Sequence, residues 1–221
     1  MTTFRYVLIL FLFEALYLPK SFAQTNRIDS LVQSIGELNE DRTMVTAYLD
    51  IGREYFDTDL NMTIHYMDSA IQLGKKVDYK KGLADAYNLK GRAYAQLGNF
   101  QEAILTFQEA LKFYQEIGDQ TGEANILSNQ GSIYFRLGNS TRALELHFQS
   151  LSISEQLDNK LRIGTSLNNI GTVYSKNNST IQEALTYFKR SLQVFEEINL
   201  EPGMAIAAMN IGEVYFLRFQ L

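Results

Sequence analysis

The sequence of 221 residues has no cysteine, no tryptophan and only two prolines, Pro19 and Pro202. The absence of cysteine excludes disulfide bonds, thiolate metal sites, a lipid anchor on cysteine and a cysteine nucleophile. With so little proline, long helices can run without interruption. Because 46% of the residues are hydrophobic, the chain can bury a core, and packing alone has to hold it together. These features favour an all-helical protein.

Residues that carry chemistry are scarce as well. The sequence has two histidines, and it lacks a phosphate-binding loop, a nucleophile elbow and a His-Glu-x-x-His pair. Phosphoryl transfer, serine-dependent hydrolysis and zinc-dependent proteolysis therefore lack their minimum residues. Acidic residues outnumber basic ones, 25 to 20, so nucleic acid and anionic membrane surfaces are poor partners. We expect a protein that is not an enzyme and that has no cofactor, metal site or nucleic-acid partner.

The first 23 residues are predicted to be a signal peptide. Arg5 supplies the positive start, residues 6–13 the apolar stretch, and residues 21–23 (Ser-Phe-Ala) a small-x-small cleavage site. The apolar stretch is shorter than the ~20 residues that a membrane-spanning helix needs, and Glu14 interrupts it. We expect cleavage near Ala23, a periplasmic or secreted mature protein, and no membrane span in the mature chain.

A repeat of about 40 residues organises the remainder of the chain. One marker of the repeat is Gly-x-x-Tyr, whose glycines are Gly52, Gly91, Gly131, Gly171 and Gly212. A second marker series, out of phase with the first, consists of Ala70, Ala110, Ser150 and Ser191. Apolar residues recur every three or four positions on both sides of a break at residues 97–99. Each repeat is therefore predicted to be a helical hairpin.

The repeat also predicts how the hairpins turn and pack. Gly98 and Gly138 can take the left-handed conformation that ends a helix, and Asn99 with Glu102 resembles a capping box for the next helix. Glycine inside a helix costs about 1 kcal/mol relative to alanine, so its regular return suggests a close approach of the paired helix. The small residues expected to face these glycines are Ala103, Ala143 and Ala184.

These residues resemble the tetratricopeptide repeat signature, in which an aromatic or apolar residue precedes Gly and Tyr, and Ala precedes an aromatic residue. The first half is matched by Tyr48/Gly52/Tyr55, Tyr87/Gly91/Tyr94 and Leu167/Gly171/Tyr174, and the second half by Ala103/Phe107 and Ala184/Phe188. The period is longer than the usual ~34 residues and the closing proline is missing, which resembles the 40-residue subclass of kinesin light chains and mitotic-spindle adaptor proteins. The resemblance implies an all-α fold, a right-handed superhelical solenoid of helical hairpins that binds proteins or peptides.

The resemblance covers residues 43–221 and sets the expected domain limits. Residues 1–23 form the signal peptide, and residues 24–42 form a capping helix with an apolar stripe. The array is expected to contain four full hairpins and a half repeat, at about 43–79, 81–119, 121–158, 161–199 and 202–221. The last helix is rich in apolar residues and has no second helix to pair with, so we expect it to fray, to self-associate or to belong to a longer array.

One polar series goes beyond packing. Asn129, Asn169 and Asn210 stand two residues before a repeat glycine. The resemblance places them on the concave face, where an amide offers a donor and an acceptor to an extended peptide. Alternatively, these amides bond to one another or to helix carbonyls and stabilise the stack. Further groove candidates, taken from family positions one turn away, are Asp85, Asn88, Arg92, Asn125, Ser128, Ser132, Thr165, Asn168 and Thr172.

The remaining candidates are interpreted as structural. His147 stands where Phe107 and Phe188 stand in neighbouring repeats, and His65 stands at a position that accepts any side chain. We therefore expect His147 to be a packing residue and His65 to face outward. The tyrosines that recur with the repeat are interpreted as core residues, namely Tyr55, Tyr94, Tyr134, Tyr174 and Tyr215.

Two functions follow from these expectations. The first is an exported, non-catalytic scaffold that binds a protein or an extended peptide in a concave groove with an asparagine ladder. The second is the sensory region of a signalling enzyme, a histidine kinase or a nucleotide cyclase. A signal peptide, a short helix and 40-residue repeats together resemble the exported sensory regions of bacterial sensor histidine kinases of the Bacteroidetes type.

Overall fold

The computed structural model describes residues 27–33, 35, 38–39 and 41–219, and every regular element in this part is helical. A first helical segment, α1, occupies residues 27–33. The longer helices are α2 (Arg42–Tyr55), α3 (Leu60–Lys76), α4 (Lys80–Leu97), α5 (Phe100–Glu116), α6 (Gln120–Arg136), α7 (Ser140–Gln156), α8 (Lys160–Tyr174), α9 (Ile181–Glu197) and α10 (Glu201–Phe219). These helices begin and end close to the positions predicted from the repeat. The predicted signal peptide lies outside the described residues and stays a prediction.

By repeat register, α2, α4, α6, α8 and α10 are the first helices of hairpins, and α3, α5, α7 and α9 are the second helices. A 3₁₀ turn at Asn178–Thr180, which the sequence pattern did not predict, precedes α9. None of the described helices is long and apolar enough to cross a membrane. The chain divides into two compact units, residues 1–97 and 98–221.

In the first unit, α2 packs against α3, and α4 packs against both. The ring of Tyr55 on α2 stacks on the ring of Tyr66 on α3 at a centroid distance of 5.7 Å. The segment α1 lies against this hairpin, because Ile28 is buried and the Arg27 side chain forms an ion pair with Glu54 at 3.1 Å.

In the second unit, α6 pairs with α7 and α8 pairs with α9, while α7 packs on α8 and α10 packs on α9. The core between α7 and α8 includes Leu151, Ile163, Leu167 and Ile170. On α10, Ala207 and Val214 are buried, whereas Ile206, Met209 and Phe216 are exposed. Part of the apolar surface expected on the last helix is thus accessible to solvent. Self-association through it stays a prediction.

The ends of the second helices share one backbone device. Asp78, Gly118, Asp158 and Asn199 all have positive φ angles, between 48° and 69°. The next residue then donates its backbone N–H to the carbonyl five residues earlier, as in the 2.9 Å bond from Tyr79 to Gly74. This closure satisfies a terminal carbonyl and reverses the chain. The positive φ angles expected at Gly98 and Gly138 are confirmed, at 83° and 81°.

The capping box expected at Asn99 is wrong. The Asn99 side chain makes no capping hydrogen bond to α5, whereas the side chain of Asn139, in the next repeat, accepts one from the backbone N–H of Arg142 at 3.0 Å. Asn99 has a φ of −80° and a ψ of 68°, close to the −88° and 75° of Asn139. The two positions therefore share a backbone conformation and differ only in where the side chain points.

The close approach at the repeat glycines is confirmed, but the residues expected to face them are not. A β-carbon added at Gly131 would lie 2.8 Å from the ring of His147, and one added at Gly171 would lie 2.7 Å from the ring of Phe188. The side chain that faces each glycine is the large residue four positions after Ala143 or Ala184. The glycine is thus a notch for a ring, and the alanines are buried beside it.

The second marker series has a physical explanation in the same contacts. The Ser150 hydroxyl donates to the carbonyl of Ala124 at 2.8 Å, and the Ser191 hydroxyl donates to the carbonyl of Gly164 at 2.8 Å. Both acceptors lie seven residues before a repeat glycine. A buried hydroxyl with a partner of this kind contributes about 1 kcal/mol, so these serines bind the second helix to the first helix of the same hairpin.

The glycine notch predicts opposite effects for the same substitution at two repeat glycines. Gly171→Ala should destabilise the second unit by about 1–3 kcal/mol, because the new methyl group would overlap the Phe188 ring. Gly212→Ala should be neutral or stabilising by up to about 1 kcal/mol, because nothing lies within 4 Å of a β-carbon there. Urea unfolding followed by circular dichroism measures both, and equal effects would contradict the notch.

His147 predicts a pH dependence of stability. It is 1% exposed, and burial lowers its pKa to about 4 from the model value of 6.5. The unfolded chain therefore binds this proton more readily, and the free energy of unfolding should fall as the pH drops from 6.5 towards 4, by about 2 kcal/mol at pH 5. His147→Phe, which introduces the ring found at Phe188, should remove this component. Denaturation at pH 7.5 and pH 5 tests it, and parallel losses in both proteins would count against a buried neutral histidine.

Candidate functional site

The asparagine ladder lies on three first helices of the second unit. Asn129, Asn169 and Asn210 belong to α6, α8 and α10, and each is half-buried. The Asn169 amide nitrogen donates to the hydroxyl of Ser128 at 3.1 Å, and the Asn210 amide nitrogen donates to the amide oxygen of Asn168 at 2.9 Å. These bonds join neighbouring first helices. They correspond to the structural alternative drawn from the sequence, in which the amides bind one another.

The two bonds have the same register. In each, the residue two positions before a repeat glycine donates to the residue three positions before the preceding repeat glycine. In the first unit the corresponding positions hold Leu49 and Leu89, and both are buried. Leucine therefore occupies these positions in one unit, and polar residues occupy them in the other.

A cavity of about 430 Å³ adjoins the ladder at Asn210. Its walls come from α6, α8 and α10, with the 3₁₀ turn and α9 at one side. The lining residues are Phe135, Thr172, Ser175, Lys176, Asn178, Phe188, Asn210, Glu213 and Val214. The ammonium group of Lys176 lies 5.5 Å from the centre of the Phe135 ring, a cation–π distance. The cavity thus has a cation, a carboxylate and amide groups around an aromatic wall.

Lys176, Glu213 and Phe135 were missed by the sequence reasoning. Glu213 directly follows a repeat glycine, as Arg92 and Thr172 do. Extending that series by one repeat would have found it. The expectation that this surface is small and neutral needs correction, because Lys176 and Glu213 line the cavity with opposite charges.

The other predicted groove residues of the second unit mostly bond to their own helices. The hydroxyls of Ser132, Thr165 and Thr172 donate to backbone carbonyls four residues earlier, at 2.9–3.1 Å. Asn125 is half-buried, and within the described residues its buried side-chain oxygen has no hydrogen-bond partner. The structure therefore brings Ser128, Asn168, Asn169 and Asn210 together, and it leaves Asn125 outside that network.

Asp85, Asn88 and Arg92 belong to α4 in the first unit. The Asp85 carboxylate accepts from the ammonium group of Lys81 at 3.1 Å. The Arg92 guanidinium lies 4.4 Å from the centre of the Phe56 ring. Burial lowers the pKa of Arg92, and the Asp57 carboxylate acts in the opposite direction. Arg92 remains a cation held on an aromatic face.

The histidines and tyrosines mainly follow the structural interpretation. His147 is buried in the glycine notch, and His65 is exposed. The repeat tyrosines are less buried than expected, since Tyr55, Tyr94, Tyr134 and Tyr174 are half-buried and Tyr215 is 36% exposed. Tyr174 stacks on Tyr187 at a centroid distance of 5.6 Å, as Tyr55 stacks on Tyr66. The tyrosines pack at the edge of the hairpins.

The geometry defines a class of protein, an all-α scaffold of stacked helical hairpins. Two models of the tetratricopeptide repeat match the sequence, one over residues 41–116 and 122–180 and another over residues 163–199. The chain belongs to the tetratricopeptide repeat family, whose domains are typically non-catalytic scaffolds that bind proteins. No curated protein sequence matches the chain significantly.

Solved structures share this fold at low sequence identity. BtubC (BKLC) from P. vanneervenii matches with a TM-score of 0.73 at 21% identity, over 87% of this chain and 83% of that one. A STAND signal-transduction ATPase with a tetratricopeptide repeat sensor, from Pyrococcus horikoshii, matches with a TM-score of 0.76 at 18% identity, over 87% of this chain and 30% of that one. A kinesin light chain-like protein with nearly identical TPR-like repeats, from Podosopora anserina, matches with a TM-score of 0.63 at 14% identity, over 80% and 87%. These likenesses confirm the predicted class of helical-hairpin solenoid.

Proposed function

We propose that the chain is exported from the cytoplasm and binds a protein or an extended peptide on the face of its first helices, with the asparagine ladder at the centre of the contact. The observation that carries this proposal is the exchange of Leu49 and Leu89 for polar residues at Asn168 and Asn210. Leucine at these positions is compatible with the fold, so packing does not require the amides.

The ladder leaves capacity for a ligand. An asparagine amide has two N–H donors and an oxygen that accepts two hydrogen bonds. The bond from Asn210 to Asn168 uses one donor of the first residue and one lone pair of the second. Both side chains are half-buried, so their remaining groups can meet the N–H and C=O groups of a peptide backbone.

The adjoining cavity adds side-chain selectivity to this backbone contact. Lys176 and Glu213 line it with opposite charges, and Phe135 supplies an apolar wall. A peptide that lies on the ladder can place one side chain in the cavity. A polar or dipolar side chain fits it better than a purely apolar one, since each charge prefers a partner.

The alternative proposal is that the chain is the sensory region of a signalling enzyme, a histidine kinase or a nucleotide cyclase. The observation that favours it is the similar fold of the Pyrococcus horikoshii STAND ATPase, which has a tetratricopeptide repeat sensor and of which the chain matches 30%. In that case the peptide on the first helices is the signal and not a resident partner. The genes beside the locus would distinguish the two proposals.

The binding proposal predicts a selective loss in one double variant. Peptides selected from a random phage library on the mature chain should bind at least ten-fold more weakly to Asn168→Leu/Asn210→Leu, because the variant removes the ladder amides. The variant should keep its melting temperature, since Leu49 and Leu89 occupy the same register. Thr186→Ala on the exposed side of α9 is the matched control. Calorimetric titration measures the affinities, and unchanged binding by the double variant would refute the ladder's role.

The export proposal predicts a mature chain that starts near Gln24. Mass spectrometry of the protein from its native host, after separation of periplasm, cytoplasm and medium, should find the processed form outside the cytoplasm. Replacing Ala23 by Arg should block cleavage, because the enzyme that removes the leader requires a small residue there. An intact Met1 on a cytoplasmic protein would overturn the proposed localisation.

A further inference from the structure

A second cleft, of about 530 Å³, lies among α5, α6 and α7 of the second unit. Two of its walls are second helices, whereas the ladder and its cavity lie between first helices. Gln130, Leu127 and Leu146 are buried at its base, and the residues at its rim are exposed. The rim includes the three glutamines Gln108, Gln115 and Gln149. The cleft is therefore rich in amide groups.

The base of this cleft departs from the repeat. Gln130 directly precedes a repeat glycine, and the same position holds Ile51 and Ile170, both fully buried. In the first unit it holds Lys90, whose ammonium group forms an ion pair with Asp68. The residue in register with Asp68 is Gln108. An apolar residue or an ion pair thus stands where this cleft has two glutamines.

A second polar exchange lies in the same cleft. Glu123 stands eight residues before the repeat glycine, where Leu83 and Ile163 are buried in other repeats. Its carboxylate accepts a hydrogen bond from the Gln115 amide at 3.1 Å. Two apolar positions of the repeat have therefore become polar side by side, both towards one cleft.

The Gln130 amide is the unexplained group. The residue is 7% exposed, and no residue in the described part of the chain forms a hydrogen bond with its side chain. Burying an amide without a partner is unfavourable. Isoleucine at the same position is fully buried in two other repeats, so the fold has an apolar solution that this repeat does not use.

The charges around the cleft are already paired within the chain. Glu123 is hydrogen-bonded to Gln115, and the guanidinium of Arg142 forms an ion pair with Glu145 at 2.8 Å. A charged ligand would therefore find no unmatched counter-charge in these pairs. The group that lacks a partner is a neutral amide with both donors and an acceptor.

We propose that this cleft is a second binding site, which takes the side-chain amide of a glutamine or asparagine in a peptide. The incoming amide pairs with the Gln130 amide, donor to acceptor in both directions, and its aliphatic stem lies against Leu127 and Leu146. The rim glutamines bond the peptide backbone on either side. This site is independent of the ladder, so its failure and that of the proposed function are separable.

The probe is a blocked Gly-Gln-Gly tripeptide, titrated into the isotopically labelled mature chain and followed by NMR. It should shift the side-chain amide signal of Gln130 and the methyl signals of Leu127 and Leu146, with a dissociation constant in the millimolar range that so small a ligand allows. Blocked Gly-Glu-Gly and Gly-Leu-Gly should bind at least ten-fold more weakly. Equal shifts from all three peptides, or none from Gly-Gln-Gly, would overturn the proposal.

The decisive variant is Gln130→Ile, which restores the residue of the other repeats. It should abolish the methyl shifts caused by Gly-Gln-Gly and raise the melting temperature by a few degrees, because it removes the unpaired amide. The control is Asn168→Leu/Asn210→Leu, which alters the ladder and should leave these shifts unchanged. Methyl shifts that persist in Gln130→Ile would show that the peptide binds elsewhere and would refute the site.

Discussion

The structure depends on one contact, between a glycine of each first helix and a large side chain of the following second helix. Met67 fills the notch at Gly52, His147 fills it at Gly131 and Phe188 fills it at Gly171. A β-carbon at any of these glycines would lie 2.4–2.8 Å from the facing side chain, well inside van der Waals contact. The two helices can approach this closely only because the β-carbon is missing.

The close approach has consequences along the whole hairpin. It brings the second helix near enough for Ser150 and Ser191 to donate hydrogen bonds to carbonyls of the first helix. A solenoid unit buries its apolar surface only against its neighbours, so its stability comes from these local contacts and from the contacts between successive hairpins. Without cysteine, no covalent bond supplements them.

The period of the sequence was enough to predict the helices, and the hairpin turns at Gly98 and Gly138 followed from backbone chemistry. It was not enough to predict partners. Period identifies equivalent residues, but it does not say which neighbouring helix each one faces. The alanines were therefore assigned to the glycine notch that His147 and Phe188 fill. In the same way, the common offset of Asn169 and Asn210 gave no hint that each donates to a residue at a different offset.

The departures from the repeat carry the functional information, because each repeat serves as an internal control for the others. His147 departs from phenylalanine but keeps a ring in the notch, and its lowered pKa shows that it stays neutral there. This change conserves shape and needs no ligand to explain it. Gln130 departs from isoleucine and leaves a buried amide without a partner among the described residues. A substitution that preserves packing is explained by the fold, whereas one that adds an unmet polar group requires something outside the chain to meet it.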